Sequence, residues 1–243
     1  MSFVSLLICL FVVAGCSGVS GTTFTLVNSC NQTIWPGILA GNGASLAGGG
    51  FALNPNQSSP ALDAPVGWSG RFWGRTGCAF DAAGNGSCAT GDCGRGLKCD
   101  GAGGVPPVTL AEFTIGGNGN KDFYDVSLVD GYNVPLNITA EGGTGDCQAA
   151  GCVADLLSSC PTSLLIADNK GRVIACRSAC DAFKFPEYCC TGDHNTADTC
   201  PPNEYSKVFK AACPTAYSYA YDDASSTFTC TDANYTITFC GQT

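Results

Sequence analysis

Between residues 110 and 141 the chain carries Glu112, Asp122, Asp125, Asp130 and Glu141, although only 13% of its residues are charged, against roughly a quarter in an average soluble domain. Carboxyls held close together can share a proton, hold a cationic or hydroxyl-rich ligand, or act as acid and base about a glycosidic bond. In "LAEFTI", residues 110–115, Ala111, Phe113 and Ile115 alternate with Glu112 and Thr114, which puts Glu112 on the polar side of a half-buried strand. Arg71, Trp73 and Arg75 of "RFWGR" share one strand parity, a guanidinium beside an aromatic. Asp125 and Asp130 have opposite parity and converge only if Asp130, preceding Gly131, lies in a turn. Each residue also has a plain reading. Asp130 suits a turn, Asp122 beside Lys121 suits a solvated surface pair, and Arg71 suits a structural partner for a buried carboxylate. Glu141 reads as surface, and so does His194.

The elements that must position these residues begin after residue 21. "MSFVSLLICLFVVAGCSGVSG" has an apolar run from Phe3 to Gly15 followed by small residues, too short to span a bilayer. It reads as a secretory signal cleaved between Gly18 and Gly21, though its n-region lacks Lys and Arg. Removing it takes Cys9 and Cys16 and leaves sixteen cysteines, an even number, which in an exported chain means a disulfide framework. With one histidine in the chain, no metal site is expected. No cofactor is expected either, since "GGNGN" at 116–120 lacks the strand–turn–helix context of a nucleotide loop. Net charge −9 argues against nucleic acid and against anionic membrane surfaces, and no later segment is apolar enough for membrane insertion. Neutral or cationic ligands fit better. Sequons at Asn31, Asn56, Asn85, Asn137 and Asn234 suit passage through the secretory pathway.

Strand signals dominate. Phe24 and Leu26 alternate with threonines near the start, and Tyr235, Ile237 and Phe239 do so near the end. Thirty-two glycines in short clusters mark tight turns. Residues 147–213 differ: they hold nine of the sixteen cysteines. Helices are expected there over Val153–Cys160, stopped by Pro161, and over Ser206–Cys213, capped by Ser206 and stopped by Pro214. The reading is a mainly β fold, a sandwich with a cysteine-stapled lobe inserted between its strands. Cys30 and Cys240 invite a bridge tying first strand to last.

"GNGSCATGDCGRGLKC", Gly84 to Cys99, closely resembles the signature of the plant thaumatin-like proteins, the osmotin and pathogenesis-related group. So do "RFWGRTGC", "LAEFTI", "DFYDVSLVDGYNVP", "EYCC" and "YSYAYDDASSTFTC", and the resemblance covers residues 22–243. It implies a flattened β-sandwich with disulfide-rich regions at 77–100 and 147–213. It also implies the pairs Cys30–Cys240, Cys78–Cys88, Cys93–Cys99, Cys147–Cys230, Cys152–Cys213, Cys160–Cys176, Cys180–Cys189 and Cys190–Cys200. The family's acidic cleft maps onto Arg71, Glu112, Asp125, Asp130 and one of Asp222 and Asp223, with Asp222 the first choice. The implied function is a secreted, monomeric defence protein of apoplast or cell wall that binds β-1,3-glucan or another fungal cell-wall component. At most it is a weak endo-β-1,3-glucanase, with Glu112 as acid and Asp125 as second catalytic group. The alternative is a non-enzymatic stress protein or allergen that engages fungal surface proteins. Sweet members of the family are strongly basic, and this chain's negative charge sets it apart from them.

Overall fold

The alternation in "TFTLV" forms a strand, β1 (Thr22–Asn28), burying every second residue from Thr22. The computed structural model describes residues 21–241, so the expected signal with Cys9 and Cys16 lies outside the described residues, Gly21 excepted. Strand β1 sits in a five-stranded sheet ordered β10 (Ala150–Cys152), β9 (Leu136–Glu141), β15 (Asn234–Phe239), β1, β3 (Leu62–Ala64). Its pairing with β15 is parallel, from Phe24 opposite Tyr235 to Asn28 opposite Phe239. Parallel neighbours cannot be joined by a tight turn, and here the rest of the fold is the connection. Cys30–Cys240 ties the two strands just beyond their last paired residues.

The second sheet runs β13 (Ala216–Tyr217), β8 (Asp122–Ser127), β7 (Leu110–Thr114), β4 (Ser69–Arg75), β2 (Trp35–Asn42), and β14 (Phe228–Cys230) also pairs with β8. Two short hairpins, β5 (Ala79–Phe80) with β6 (Gly86–Ser87) and β11 (Leu165–Ala167) with β12 (Val173–Cys176), lie outside the sandwich. Between the sheets Phe24 meets Phe113 at 4.7 Å and Phe72 at 4.8 Å, and Phe113 meets Tyr235 at 5.1 Å. Each such ring contributes about 1.5–3 kcal/mol through burial. Because side chains alternate across a strand, filling the core with Phe72, Phe113 and Tyr124 turns Arg71, Glu112 and Asp125 outward.

The lobe contains α1 (Ala179–Phe183), α2 (Pro186–Cys189) and α3 (Glu204–Ala212); α4 (Asp223–Ser226) follows β13. Helix α3 starts earlier than expected. Asn203 is its cap, accepting from the Tyr205 and Ser206 N–H groups, and Ser206 completes the capping box from inside. Val153–Cys160 is not helical. The Asp155 carboxylate accepts the Leu157 N–H at 3.1 Å and turns the chain, while Cys152 and Cys160 are tied to different partners, Cys213 and Cys176. Helices α1 and α2, of five and four residues, are too short to give a periodic signal.

Among the described residues eight bridges join the same pairs that the resemblance implies. Asp122 is not a surface residue. It is buried, accepting from the Gly116 N–H at 2.9 Å and the Tyr235 hydroxyl at 2.8 Å. The core-facing parity it shares with Tyr124 and Val126 overrides its charge. Glu141 is exposed and accepts from Thr236 Oγ1.

Candidate functional site

Register builds the site. Leu39 lies opposite Arg71, Arg71 opposite Glu112, and Glu112 opposite Asp125. Directly opposed residues hold their Cβ atoms about 5 Å apart, so a row of polar groups crosses the outer face of the second sheet. Arg71 Nη1 is 4.0 Å from Glu112 Oε1, with the two side chains 39% and 37% exposed. At that exposure the pair orients the groups more than it stabilises the fold.

Two hollows share this row. One, of about 420 Å³, is lined by Leu39, Arg71, Glu112, Phe123 and Asp125 among others. The other, of about 370 Å³, adds Asp130, Tyr217, Ala220 and Asp223 to Arg71, Glu112 and Asp125. Together they form one groove with an apolar end and an acidic end. Asp130 joins because β8 ends at Ser127 and the chain turns, the Gly131 N–H donating to the Leu128 carbonyl at 2.9 Å. Gly131 has φ +89°, and a Cβ there would lie 2.7 Å from the Cys176 carbonyl oxygen. Only glycine fits.

Asp222 is not the groove residue. Its carboxylate faces away, 3.0 Å from Lys210 Nζ, and accepts from the Ser218 N–H and hydroxyl and from the Ser225 hydroxyl. Lys210 also donates to the Ala216 carbonyl and the Ser226 hydroxyl, so Asp222 ties this wall of the groove to α3. Asp223 lines the groove, and its Oδ1 accepts from the Tyr217 hydroxyl at 2.9 Å.

The electrostatics follow from low solvation and like charge. Burial pushes the Asp125 carboxyl up to about 8, with Glu112 and Asp223 adding to the rise. Its Oδ1 is buried without a hydrogen-bond partner. Glu112 is also raised by burial, with Arg71 opposing and Asp130 reinforcing. Asp130 is raised by burial against the pull of Arg71. At neutral pH Asp125 therefore holds a proton in a groove of otherwise acidic character.

The parity shared by Arg71, Trp73 and Arg75 does not make one open face. Trp73 is wholly buried and its indole N–H donates to the Gly91 carbonyl at 2.8 Å. Gly37 leaves room for the ring, since a Cβ there would lie 2.3 Å from it. Arg75 is also fully buried, donating to the carbonyls of Trp35, Pro36, Gly96 and Leu97. Trp68 is in the core, and Trp35 meets Phe80 edge-on. His194 lies in the 191–199 loop, its Nδ1 2.8 Å from the Thr199 carbonyl oxygen. Asn31, Asn56, Asn85 and Asn234 are exposed, Asn234 with its Oδ1 accepting from the Thr23 N–H, whereas Asn137 lies half-buried within β9.

Sequence reasoning missed Phe123, Tyr217 and Leu39. Phe123 shares strand parity with Asp125 and was open to the same argument; the other two reach the groove through register alone. Among the described residues no group of three or more His, Cys, Asp or Glu is arranged to hold a metal. No helix among them is long and apolar enough to cross a membrane.

A pathogenesis-related thaumatin-like protein 3.5 from Cryptomeria japonica is 65% identical over 232 residues, 95% of each chain. A glucan endo-1,3-beta-glucosidase from Prunus avium is 51% identical over 226 residues, 92% of each chain. In fold, the chain is similar to a GH family 64 laminaripentaose-producing beta-1,3-glucanase from Paenibacillus barengoltzii, with TM-score 0.60 at 13% identity over 91% of this chain and 75% of that one. The pathogenesis-related relative supports a role in defence. Residues 28–241 match the thaumatin family, and with the sandwich and its eight bridges in view the chain belongs to that family.

Proposed function

We propose that this is a secreted defence protein whose groove binds β-1,3-glucan of fungal cell walls. The observation that carries the reading is the Arg71–Glu112–Asp125 row, in which burial pushes the Asp125 carboxyl up to about 8. A neutral carboxyl donates to a sugar hydroxyl while its charged neighbours accept from others, so a hydroxyl-rich, uncharged chain finds both kinds of partner. The Prunus avium relative, named as a glucanase, supports the ligand class. Eight disulfides support an extracellular setting, where they persist.

Binding is better supported than turnover. Hydrolysis needs two carboxyls flanking the glycosidic bond, and neighbours on one sheet face meet a ligand from the same side. Asp130 and Asp223, from the turn after β8 and from α4, are the groups able to approach from elsewhere. Asp125, held at about 8, keeps at neutral pH the proton that a general acid must deliver. With its carboxyls mostly on one side of the ligand, the groove supports at most weak hydrolysis. Glu112→Gln and Asp125→Ala should each weaken laminarin binding about tenfold or more while a cooperative unfolding transition is kept, and reducing-end release should fall alongside. Wild-type protein that binds no laminarin in a sedimentation or calorimetric assay would refute the reading.

A second reading rests on the net charge of −9 and the acidic end of the groove. These suit a basic segment of a fungal surface protein, bound without chemistry. Unchanged antifungal potency in a variant that has lost glucan binding favours it.

A further inference from the structure

The groove does not stop at Asp130. Val129 and Ala220, which line its acidic hollow, also line a small third hollow of about 40 Å³ reaching Tyr188, Tyr219 and the Cys180–Cys189 bridge. On the lobe Tyr188 belongs to a cluster of rings. Phe183 and Phe185 lie 6.4 Å apart with planes 19° from parallel, Phe185 and Tyr188 lie 6.2 Å apart at 30°, and Tyr205 of α3 contacts both Phe183 and Tyr188.

Phe185 is 53% exposed. Three large apolar side chains stand exposed among the described residues, and Phe185 is the one aromatic, beside Val66 and Val105. Its position is rigidly built. Lys184 ends α1 in the left-handed conformation, Phe185 precedes α2, and the Cys180–Cys189 bridge clamps the hairpin. Polar groups rim the rings. Lys184 pairs with Asp181 at 2.7 Å, Tyr188 donates to Glu204 at 3.3 Å, and Glu187 follows in α2. Asp130 feels the charges of both Asp181 and Lys184, so this hairpin borders the acidic end of the groove.

An apolar peptide or lipid would use the rings and leave the charged rim unpaired, and the carboxylates repel an anionic polymer. A pyranose ring uses both: its C–H face lies on the electron-rich face of an aromatic ring while its equatorial hydroxyls reach the flanking carboxylates and ammonium. We propose that Phe185 and Tyr188 form an aromatic subsite for a sugar ring of the polysaccharide that lies in the groove. The protein then selects long glucan chains over short oligosaccharides. This rests on the glucan reading of the groove.

The test compares laminarin with a β-1,3-linked trisaccharide on wild type, Phe185→Ala, Phe185→Trp and Asp125→Ala. Phe185→Ala should lose about five- to tenfold in affinity for laminarin, the size of one aromatic contact, with trisaccharide binding unchanged. Phe185→Trp should retain laminarin affinity. In the wild type the aromatic NMR signals of Phe185 and Tyr188 should move with laminarin and not with trisaccharide, a readout needing no variant. Laminarin affinity unchanged in Phe185→Ala, with Asp125→Ala impaired, overturns the subsite and leaves the groove reading standing. Failure of the wild type to bind either ligand overturns both.

Discussion

A carboxyl raised to about 8 beside two other acids makes Asp125 the residue on which the groove's behaviour with pH turns. Its ordinary value in an unfolded chain is about 3.9, so between those limits the folded state binds more protons than the unfolded one. The sign follows. The stability Asp125 contributes is complete below about pH 4 and is lost as pH rises through its folded value of about 8. Asp125→Asn, which mimics the protonated form, should match wild type in thermal midpoint near pH 4 and exceed it at pH 8–9. A gap between the two proteins that does not change with pH would rule out a protonated Asp125. Asp222 and Asp223 divide differently. One is spent on Lys210 and two serines, the other faces the groove, and adjacent identical residues give the sequence no means of telling which is which.

At the level of elements, alternation was legible and coverage was not. The strands around Phe24, Phe113 and Ile237 follow from period-2 patterning, and with them the outward face bearing Glu112. β4 breaks the pattern because a loop folds over its second half, burying Phe72 to Arg75 continuously. Parity has no knowledge of what packs on the outer face, so the side Arg75 shares with Arg71 and Trp73 gave no sign that Arg75 is a structural clamp. Burial lowers its guanidinium to about 10, still charged at neutral pH, and its bonds to the carbonyls of Gly96 and Leu97 hold the Cys93–Cys99 loop against β2. Arg75→Met should cost about 3–5 kcal/mol, since four carbonyls lose their donor. Arg75→Lys should recover part of that, a point charge reaching fewer of them. Urea midpoints measure the cost, and amide exchange within residues 91–99 should rise selectively in Arg75→Met; uniform exchange across the molecule would deny the clamp.

Over the whole molecule, the acidic groove is assembled from five strands, a turn and a short helix whose sequence positions run from Leu39 to Asp223. Such a site depends on long connections being held closed. The bridges differ in how much chain they close: Cys30–Cys240 spans 210 residues and Cys93–Cys99 spans 6. Closing a longer loop removes more entropy from the unfolded chain, about 5 kcal/mol for the first against about 2 for the second at room temperature. Cys30 and Cys99 are both buried, so replacing either pair by serine disturbs packing to a similar degree and the loop length carries the difference. The other bridges shorten the effective loop of the first pair and narrow the gap without reversing it. Cys30→Ser with Cys240→Ser should therefore lower the guanidinium midpoint more than Cys93→Ser with Cys99→Ser. Glucan binding should follow the opposite order in the folded range, because the five-residue parallel pairing of β1 with β15 still joins these two strands, whereas the short loop braces, through Arg75, the strand β4 that carries Arg71. Equal midpoints in the two variants would mean that the unfolded chain is already compact enough to make loop length irrelevant.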